Sequence, residues 1–201
     1  MANPWFDSWA KLAKEKGYPA RSVFKLKEIN ERFKVLKRGD KVLDLGTSPG
    51  SWAKYACEVV GETGLVVGID LAPPKFSGRL YRFIQKNVFE VKKEDLISQD
   101  IPYFDVVLSD LAPKTTGIRE RDHLESVRLA ERALQVCEMV LRKGGNAVVK
   151  VFEGPEFPRL RKEFEKRFKD VKLFRPKAVR KESREVYVVA LNFRSQRSKK
   201  A

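Results

Sequence analysis

The chain has 201 residues, 42% hydrophobic and 34% charged, which is enough for one core of ordinary size. Its 42 Lys and Arg against 27 Asp and Glu leave a formal net charge of +15, which points to a polyanion or an anionic membrane surface as partner. Two isolated cysteines, Cys57 and Cys137, exclude a disulfide framework, and no apolar run approaches a membrane span, so a soluble, cytoplasmic protein is expected.

The charge is uneven. Residues 1–40 carry ten Lys/Arg against five Asp/Glu, residues 41–141 carry thirteen against fifteen, and residues 142–201 carry nineteen against seven. A near-neutral middle flanked by basic ends reads as a ligand-binding core with polyanion-binding surfaces. The expected organisation is a single domain over 1–201: basic N-terminal helices in 1–40, a core in 41–193 and a basic, disordered tail in 194–201.

In chain order, Trp5 to Lys16 reads as a short basic helix, broken at Gly17-Tyr18-Pro19. Over 21–33, Val23, Leu26, Ile29 and Phe33 recur at helical spacing, with Lys25 and Lys27 off the apolar stripe. A buried strand at 41–45 breaks at Gly46 and bends through Pro49-Gly50 into a helix over 51–60 with Trp52, Tyr55, Ala56 and Val59 on one face. A strand at 65–70 ends on Asp70, and Pro73-Pro74 prevents its continuation. A strand follows at 81–85, then a weak helix at 93–99, and a buried strand at 104–110 that again ends on an acid, Asp110. Residues 121–142 read as a long helix with a core stripe of Leu124, Val127, Ala130, Leu134, Cys137 and Leu141, stopped by Gly144-Gly145. His123, the only histidine, has no serine elbow to serve and reads as an ordinary polar residue. A strand at 146–152, a basic helix at 158–168, a strand at 171–174 and a last strand at 185–193 complete the pattern.

Strands alternating with helices predict a doubly wound α/β sheet, seven-stranded and mostly parallel, with helices on both faces. No helix separates the last two strands, so they are expected to pair antiparallel as a C-terminal hairpin. A glycine break at one strand end, followed by a strand ending on a carboxylate, suggests a nucleoside ligand, with the acid taking ribose hydroxyls. Gly46-Thr47-Ser48-Pro49-Gly50 lacks the spacing of a dinucleotide fingerprint, and Pro49 removes an N–H that a pyrophosphate would want. A cofactor without phosphates fits better. S-adenosylmethionine is such a cofactor, and Asp44, Asp70 and Asp110 at three strand ends would supply negative potential for its sulfonium.

Six motifs taken together resemble the FtsJ-type RNA 2′-O-ribose methyltransferases, within them the ribosomal RNA large-subunit methyltransferase E family. They are Arg21-Ser22-Val23-Phe24-Lys25-Leu26, Asp44 to Trp52, Gly68-Ile69-Asp70-Leu71, Ser109-Asp110-Leu111-Ala112-Pro113, Val149-Lys150-Val151-Phe152 and Ser183-Arg184-Glu185-Val186-Tyr187. The resemblance implies a Rossmann-like methyltransferase fold. It also implies methylation of a ribose 2′-hydroxyl, that of a uridine in 23S-type rRNA within the ribosomal subunit, by a monomer and without a metal. The product would be S-adenosylhomocysteine. Methylation of tRNA, or a non-catalytic rRNA-binding assembly factor, are the alternatives.

By resemblance, a catalytic Lys-Asp-Lys-Glu tetrad falls on Lys25, Asp110, Lys150 and Glu185. Cofactor contacts fall on Gly50 and Trp52 (methionine part), Asp70 (ribose), Asn87 (adenine edge, where the family usually has Asp) and Asp110. Lys150 lies inside an apolar strand, where a lysine without partners would be costly. Two roles are open to it: general base, or a cation that orients the hydroxyl and stabilises the developing alkoxide. The basic stretches 1–40 and 155–184 are expected to hold RNA phosphates.

Overall fold

The computed structural model describes residues 4–180 and 182–194. Seven strands are formed by Lys41–Leu45 (β1), Leu65–Asp70 (β2), Tyr81–Gln85 (β3), Phe104–Ser109 (β4), Leu141–Phe152 (β5), Phe168–Phe174 (β6) and Glu185–Phe193 (β7). They make one sheet in the order β3-β2-β1-β4-β5-β7-β6. Neighbours from β3 through β5 are parallel, and β7 runs antiparallel to both β5 and β6. The central strands are buried on both faces, which is why Val106 to Leu108 reads as an unbroken apolar run rather than an alternating one, and why Asp44 is the one interruption between Val42 and Leu45.

Among the described residues there are five α-helices, Pro4–Glu15 (α1), Val23–Phe33 (α2), Ser51–Val60 (α3), Arg119–Val140 (α4) and Phe157–Arg167 (α5); α2 to α5 cover the sheet, and α1 packs on α2 through Ala13, Val23 and Phe24. Successive strand residues point to opposite faces. Val42, Val66, Val106, Val148 and Val189 meet Leu26 and Ile29 of α2 and Trp52, Ala53 and Ala56 of α3. Leu43, Val67, Val107, Val149 and Val188 meet Leu134 and Cys137 of α4 and Leu160 and Phe164 of α5. Strand order reverses between β1 and β4. The loops leaving their carboxyl ends therefore diverge and open a crevice.

Several expected boundaries are corrected. The long helix ends at Val140, not Arg142, and Leu141 already pairs with Phe104 as the first residue of β5. Gly144-Gly145 is thus a bulge in a strand rather than a helix stop. Gly144 has φ +80°, and a Cβ on Gly145 would lie 2.9 Å from the Asp105 carbonyl oxygen. Leu124 is 49% exposed. Polar anchors set the face of α4 at this end, because Asp122, His123 and Ser126 are the buried residues there. The helix expected at 93–99 is one 3₁₀ turn over Lys93–Asp95, closed when the Asp95 carboxylate turns back to accept from Lys92 N–H at 2.7 Å. β6 begins at Phe168, buried and paired with Phe193. Tyr55 and Val59 are only partly buried on α3, where Ala53 and Val60 complete the buried face with Trp52 and Ala56. The tail beyond Arg194 lies outside the described residues.

Candidate active site

The crevice is a cleft of about 490 Å³ lined by Gly46 and Ser48, by Asp70 and Leu71, by Asn87 to Phe89, and by Asp110 to Ala112. Its size suits a nucleoside-sized ligand. Gly46 has φ +77°, and a Cβ there would lie 2.8 Å from Leu111 Cδ2, so only glycine lets the two loops approach this closely. Asp70 is held for its task by the backbone: Oδ2 accepts from Ser48 N–H at 2.9 Å and Oδ1 from Ala72 N–H at 3.1 Å. Asn87 also lines the cleft, with Oδ1 accepting from Phe89 N–H at 3.1 Å as the cap of a 3₁₀ turn. That leaves the amide N–H groups as its uncommitted donors.

Gly50 and Trp52 stand outside the cleft lining. Gly50, at φ +104°, lets the chain pass Phe76, whose Cβ would lie 2.8 Å from an added Cβ. Trp52 is buried in α3, donates Nε1–H to the Ser22 carbonyl at 2.9 Å and packs against Tyr187. Asp44 is not in the cleft either. It is fully buried, and its oxygens lack a hydrogen-bond partner. Burial, reinforced by Asp110 and Asp70, raises its pKa to about 7; Thr47 and the Ala53 N–H temper this without completing a bond. Asp44 is therefore a weaker source of negative potential than a carboxylate ionised at low pH would be.

Sheet register gathers the next group. Leu45 pairs with Ser109 and Ser109 with Val149, so Gly46, Asp110 and Lys150 stand at one level, and Lys150 faces Tyr187 on β7. Lys150 Nζ, 7% exposed, donates to the Asp110 carbonyl at 2.5 Å and pairs with Asp110 Oδ1 at 3.0 Å. Lys25, the lysine off the apolar stripe of α2, is buried and pairs with Glu185 Oε1 at 2.6 Å. Lys27 instead lies over the rings of Tyr18 and Tyr55. Burial alone would raise the pKa of Asp110, but the charges of Lys150 and Lys25 and the Tyr187 hydroxyl outweigh it and hold Asp110 below the usual carboxylate range.

The two ion pairs are joined by a residue that sequence reading missed. The Tyr187 hydroxyl is 2.8 Å from Asp110 Oδ1 and 2.5 Å from Glu185 Oε1, and the side chain is fully buried. Burial and the two acids hold its pKa well above that of a free tyrosine, so the proton stays on. A signal was available: Glu185 and Tyr187 are two apart on a strand and share a face.

His123, read as an ordinary polar residue, serves as a structural clamp. Buried, it receives Glu156 N–H on Nε2 at 3.1 Å, and its Nδ1 lies 2.9 Å from the Phe152 carbonyl. It thereby fixes the turn that follows the strand of Lys150. Among the described residues, no group of three or more His, Cys, Asp or Glu could hold a metal ion.

The sheet order with its reversed β7, and a nucleoside-sized cleft at the switch point, define the Rossmann-like fold of S-adenosylmethionine-dependent methyltransferases. The model of the family described as FtsJ-like methyltransferase matches residues 18–193, and the chain belongs to that family. It is 48% identical over 190 residues to the ribosomal RNA large subunit methyltransferase E of Desulfatibacillum aliphaticivorans, covering 93% of this chain and 90% of the relative. It is 44% identical to the protein of the same name in Bdellovibrio bacteriovorus, covering 92% and 96%. Among solved structures, a ribosomal RNA methyltransferase from Plasmodium falciparum superposes with a TM-score of 0.76 at 28% identity, covering 88% of this chain and 98% of that one. Aeropyrum pernix fibrillarin, solved with bound S-adenosyl-L-methionine, shares the fold at a TM-score of 0.58 and 16% identity, covering 78% of this chain and 68% of that one.

Proposed function

We propose that this protein methylates a ribose 2′-hydroxyl of large-subunit ribosomal RNA, a uridine of the 23S-type molecule within the ribosomal subunit, using S-adenosylmethionine in the cytoplasm. The observation that carries the reading is the convergence of Lys25, Asp110, Lys150 and Glu185, from four distant segments, on one hydrogen-bonded cluster beside a nucleoside-sized cleft. One chain supplies all four, so a monomer suffices. The family membership and the names of the relatives support the substrate class.

The cleft fits the cofactor. Asp70, prepositioned by two backbone N–H groups, would take its ribose hydroxyls, and Asn87 would offer N–H donors to its adenine edge. Asp110 would lie at the end nearest the reacting centre. Gly50 and Trp52 would shape the methionine end from behind the lining. When bound, S-adenosylmethionine supplies an electrophilic methyl group on a sulfonium.

The chain's own work is on the acceptor. Asp110 takes two of the donors of Lys150, which leaves one tetrahedral position of the amine for the ribose hydroxyl. With the cofactor bound, Lys150 would take up the proton that the ribose hydroxyl loses, or remain charged and stabilise the negative charge developing on that oxygen. Lys25, oriented by Glu185, steers the ribose. Transfer of tritiated methyl to large-subunit RNA tests this. Lys150→Ala is expected to lose at least a hundredfold in rate, the scale of one acid–base group, while binding S-adenosylhomocysteine as the wild type does. Full activity in that variant overturns the mechanism.

A further inference from the structure

Three buried polar residues at the start of α4, Asp122, His123 and Ser126, take no part in the chemistry proposed above. Buried polar groups are paired, and these pair with the segments that carry the catalytic cluster. Asp122 Oδ1 accepts from Thr116 N–H at 2.8 Å and Oδ2 from Gly117 N–H at 3.2 Å, which ties down the loop leaving Asp110. His123 Nδ1 lies 2.9 Å from the Phe152 carbonyl, and Ser126 Oγ accepts from Phe152 N–H at 3.1 Å. Arg184, next to Glu185, donates Nη2–H at 2.9 Å to the carbonyl of Arg119, where α4 begins.

The hold on Phe152 has its reason in the sheet. β4 ends at Ser109, opposite Val149, so Lys150, Val151 and Phe152 overhang it and keep β7 as their strand neighbour. The N–H and C=O of one strand residue point to the same side. Both groups of Phe152 go to α4, so His123 and Ser126 supply the donor and the acceptor that a longer β4 would have supplied. Glu156 N–H can only donate, and it reaches Nε2 at 3.1 Å, so the ring proton is on Nδ1 and faces the Phe152 carbonyl. The ring fills the turn closely, since a Cβ on Gly154 would lie 2.5 Å from His123 Cγ. Lys150, two residues before Phe152, meets Asp110 at 3.0 Å only while this overhang stays level with the end of β4. A displacement of about 1 Å in such a group can cost roughly a hundredfold in rate.

We infer that His123, with Ser126, is a positioning residue for methyl transfer that acts through Lys150 by holding the overhanging end of β5. This inference rests on the proposed function and adds to it the support of its central lysine.

The test measures transfer of tritiated methyl to large-subunit RNA. His123→Gln brings an amide near the place of Nε2, which keeps an acceptor for Glu156 N–H and withdraws the donor from Phe152. His123→Asn does the reverse, with its amide N–H near the place of Nδ1. His123→Gln is expected to lower kcat about tenfold, the scale of one hydrogen bond, with KM for RNA and the affinity for S-adenosylhomocysteine within about twofold of the wild type. His123→Asn should recover most of that rate, although it lacks the bond to Glu156. Ser126→Ala, which removes the acceptor for Phe152 N–H, should resemble His123→Gln, and it carries the test if His123→Gln does not fold. In a Lys150→Ala background, His123→Gln should bring no further loss, because its effect passes through Lys150. Lower melting temperatures with unchanged kcat in His123→Gln and Ser126→Ala would show a purely structural clamp and overturn the inference. A further loss of similar size beside Lys150→Ala overturns it as well, since His123 would then act elsewhere. The functional reading stands in both cases. A wild-type protein that transfers no methyl to any RNA overturns that reading, and the inference with it.

Discussion

At the scale of single residues, Tyr187 and Asp44 carry the sharpest consequences. Tyr187 supplies one hydroxyl proton to two acids, Asp110 and Glu185. Tyr187→Phe leaves the ring against Trp52 but removes that proton from between two carboxylates. The cost of one hydrogen bond to a charged group, about 1.5–3 kcal/mol, corresponds to roughly ten- to a hundredfold in rate. The expected result is a fall of that size in single-turnover methyl transfer, with S-adenosylhomocysteine binding retained. Equal rates would show that the two ion pairs work independently. Asp44 acts on stability instead. The folded chain keeps its proton up to about pH 7, whereas an unfolded aspartate releases it near 3.9. The folded state therefore binds more protons between those values, and stability falls as pH rises through them. The loss reaches about 4 kcal/mol once the group is ionised in both states. Asp44→Asn removes this slope: its melting temperature should exceed that of the wild type above pH 7 and converge with it near pH 4. Parallel curves for the two proteins across that range would contradict the raised pKa.

At the scale of elements, α4 serves the cleft as well as the core. Arg132 donates Nε–H to the Val88 carbonyl at 2.9 Å and Nη2–H to the Val91 carbonyl at 2.5 Å, pinning the 3₁₀ turn that Asn87 caps. Truncation to Ala frees the wall of the cleft on the Asn87 side. Arg132→Ala is expected to weaken S-adenosylhomocysteine binding about tenfold by calorimetry, with kcat at saturating cofactor within twofold. Arg132→Lys should recover little, since one ammonium does not reproduce a planar fork spanning two carbonyls. An unchanged affinity would mean that the turn holds its shape without the arginine. These long-range ties also mark where the sequence stops being legible. The bounds of β1, β2, β3, β7 and α3 could be read from apolar runs and turn residues, because local pattern and burial agree there. The start of β5 could not. Leu141 and Arg142 continue the helical spacing of α4, and what turns them into a strand is pairing with Phe104 and the Arg142–Asp105 ion pair, partners some forty residues away. The exposure of Leu124 was hidden for a similar reason, since Asp122 and His123 are drawn inward by the Thr116 turn and by Phe152. The grouping of Lys25, Asp110, Lys150 and Glu185 was legible through resemblance. Tyr187 as their link needed the register of β5 against β7.

At the scale of the molecule, the net charge of +15 is not one RNA-binding surface. The helix α5, dense in Lys and Arg, was read with the rest of 155–184 as a phosphate grip. Its Arg159, Arg161, Lys166 and Arg167 are instead paired with Glu131, Glu156, Glu165, Glu163 and Glu138. Such exposed pairs add little to stability, but each neutralises its own charge locally and weakens the field that α5 projects. The helix also packs on the sheet face opposite α2, away from the Lys25 end of the cluster. The loop 175–184 carries Lys177 and Arg180 on the α2 side, tied to α2 where Lys177 N–H donates to Glu28 at 2.8 Å. RNA affinity should therefore depend on salt through the second group and not the first. Each neutralised phosphate contact on a single strand contributes about 0.7 to the slope of log affinity against log salt. The double variant Lys177→Gln/Arg180→Gln is expected to lower that slope by about 1.4 in filter-binding titrations against large-subunit RNA. Arg161→Gln/Lys166→Gln, which removes the same formal charge, should leave it within error of the wild type. Equal drops in the two pairs would mean that total charge governs binding. The larger drop for the α5 pair would move the RNA path to the opposite face of the sheet.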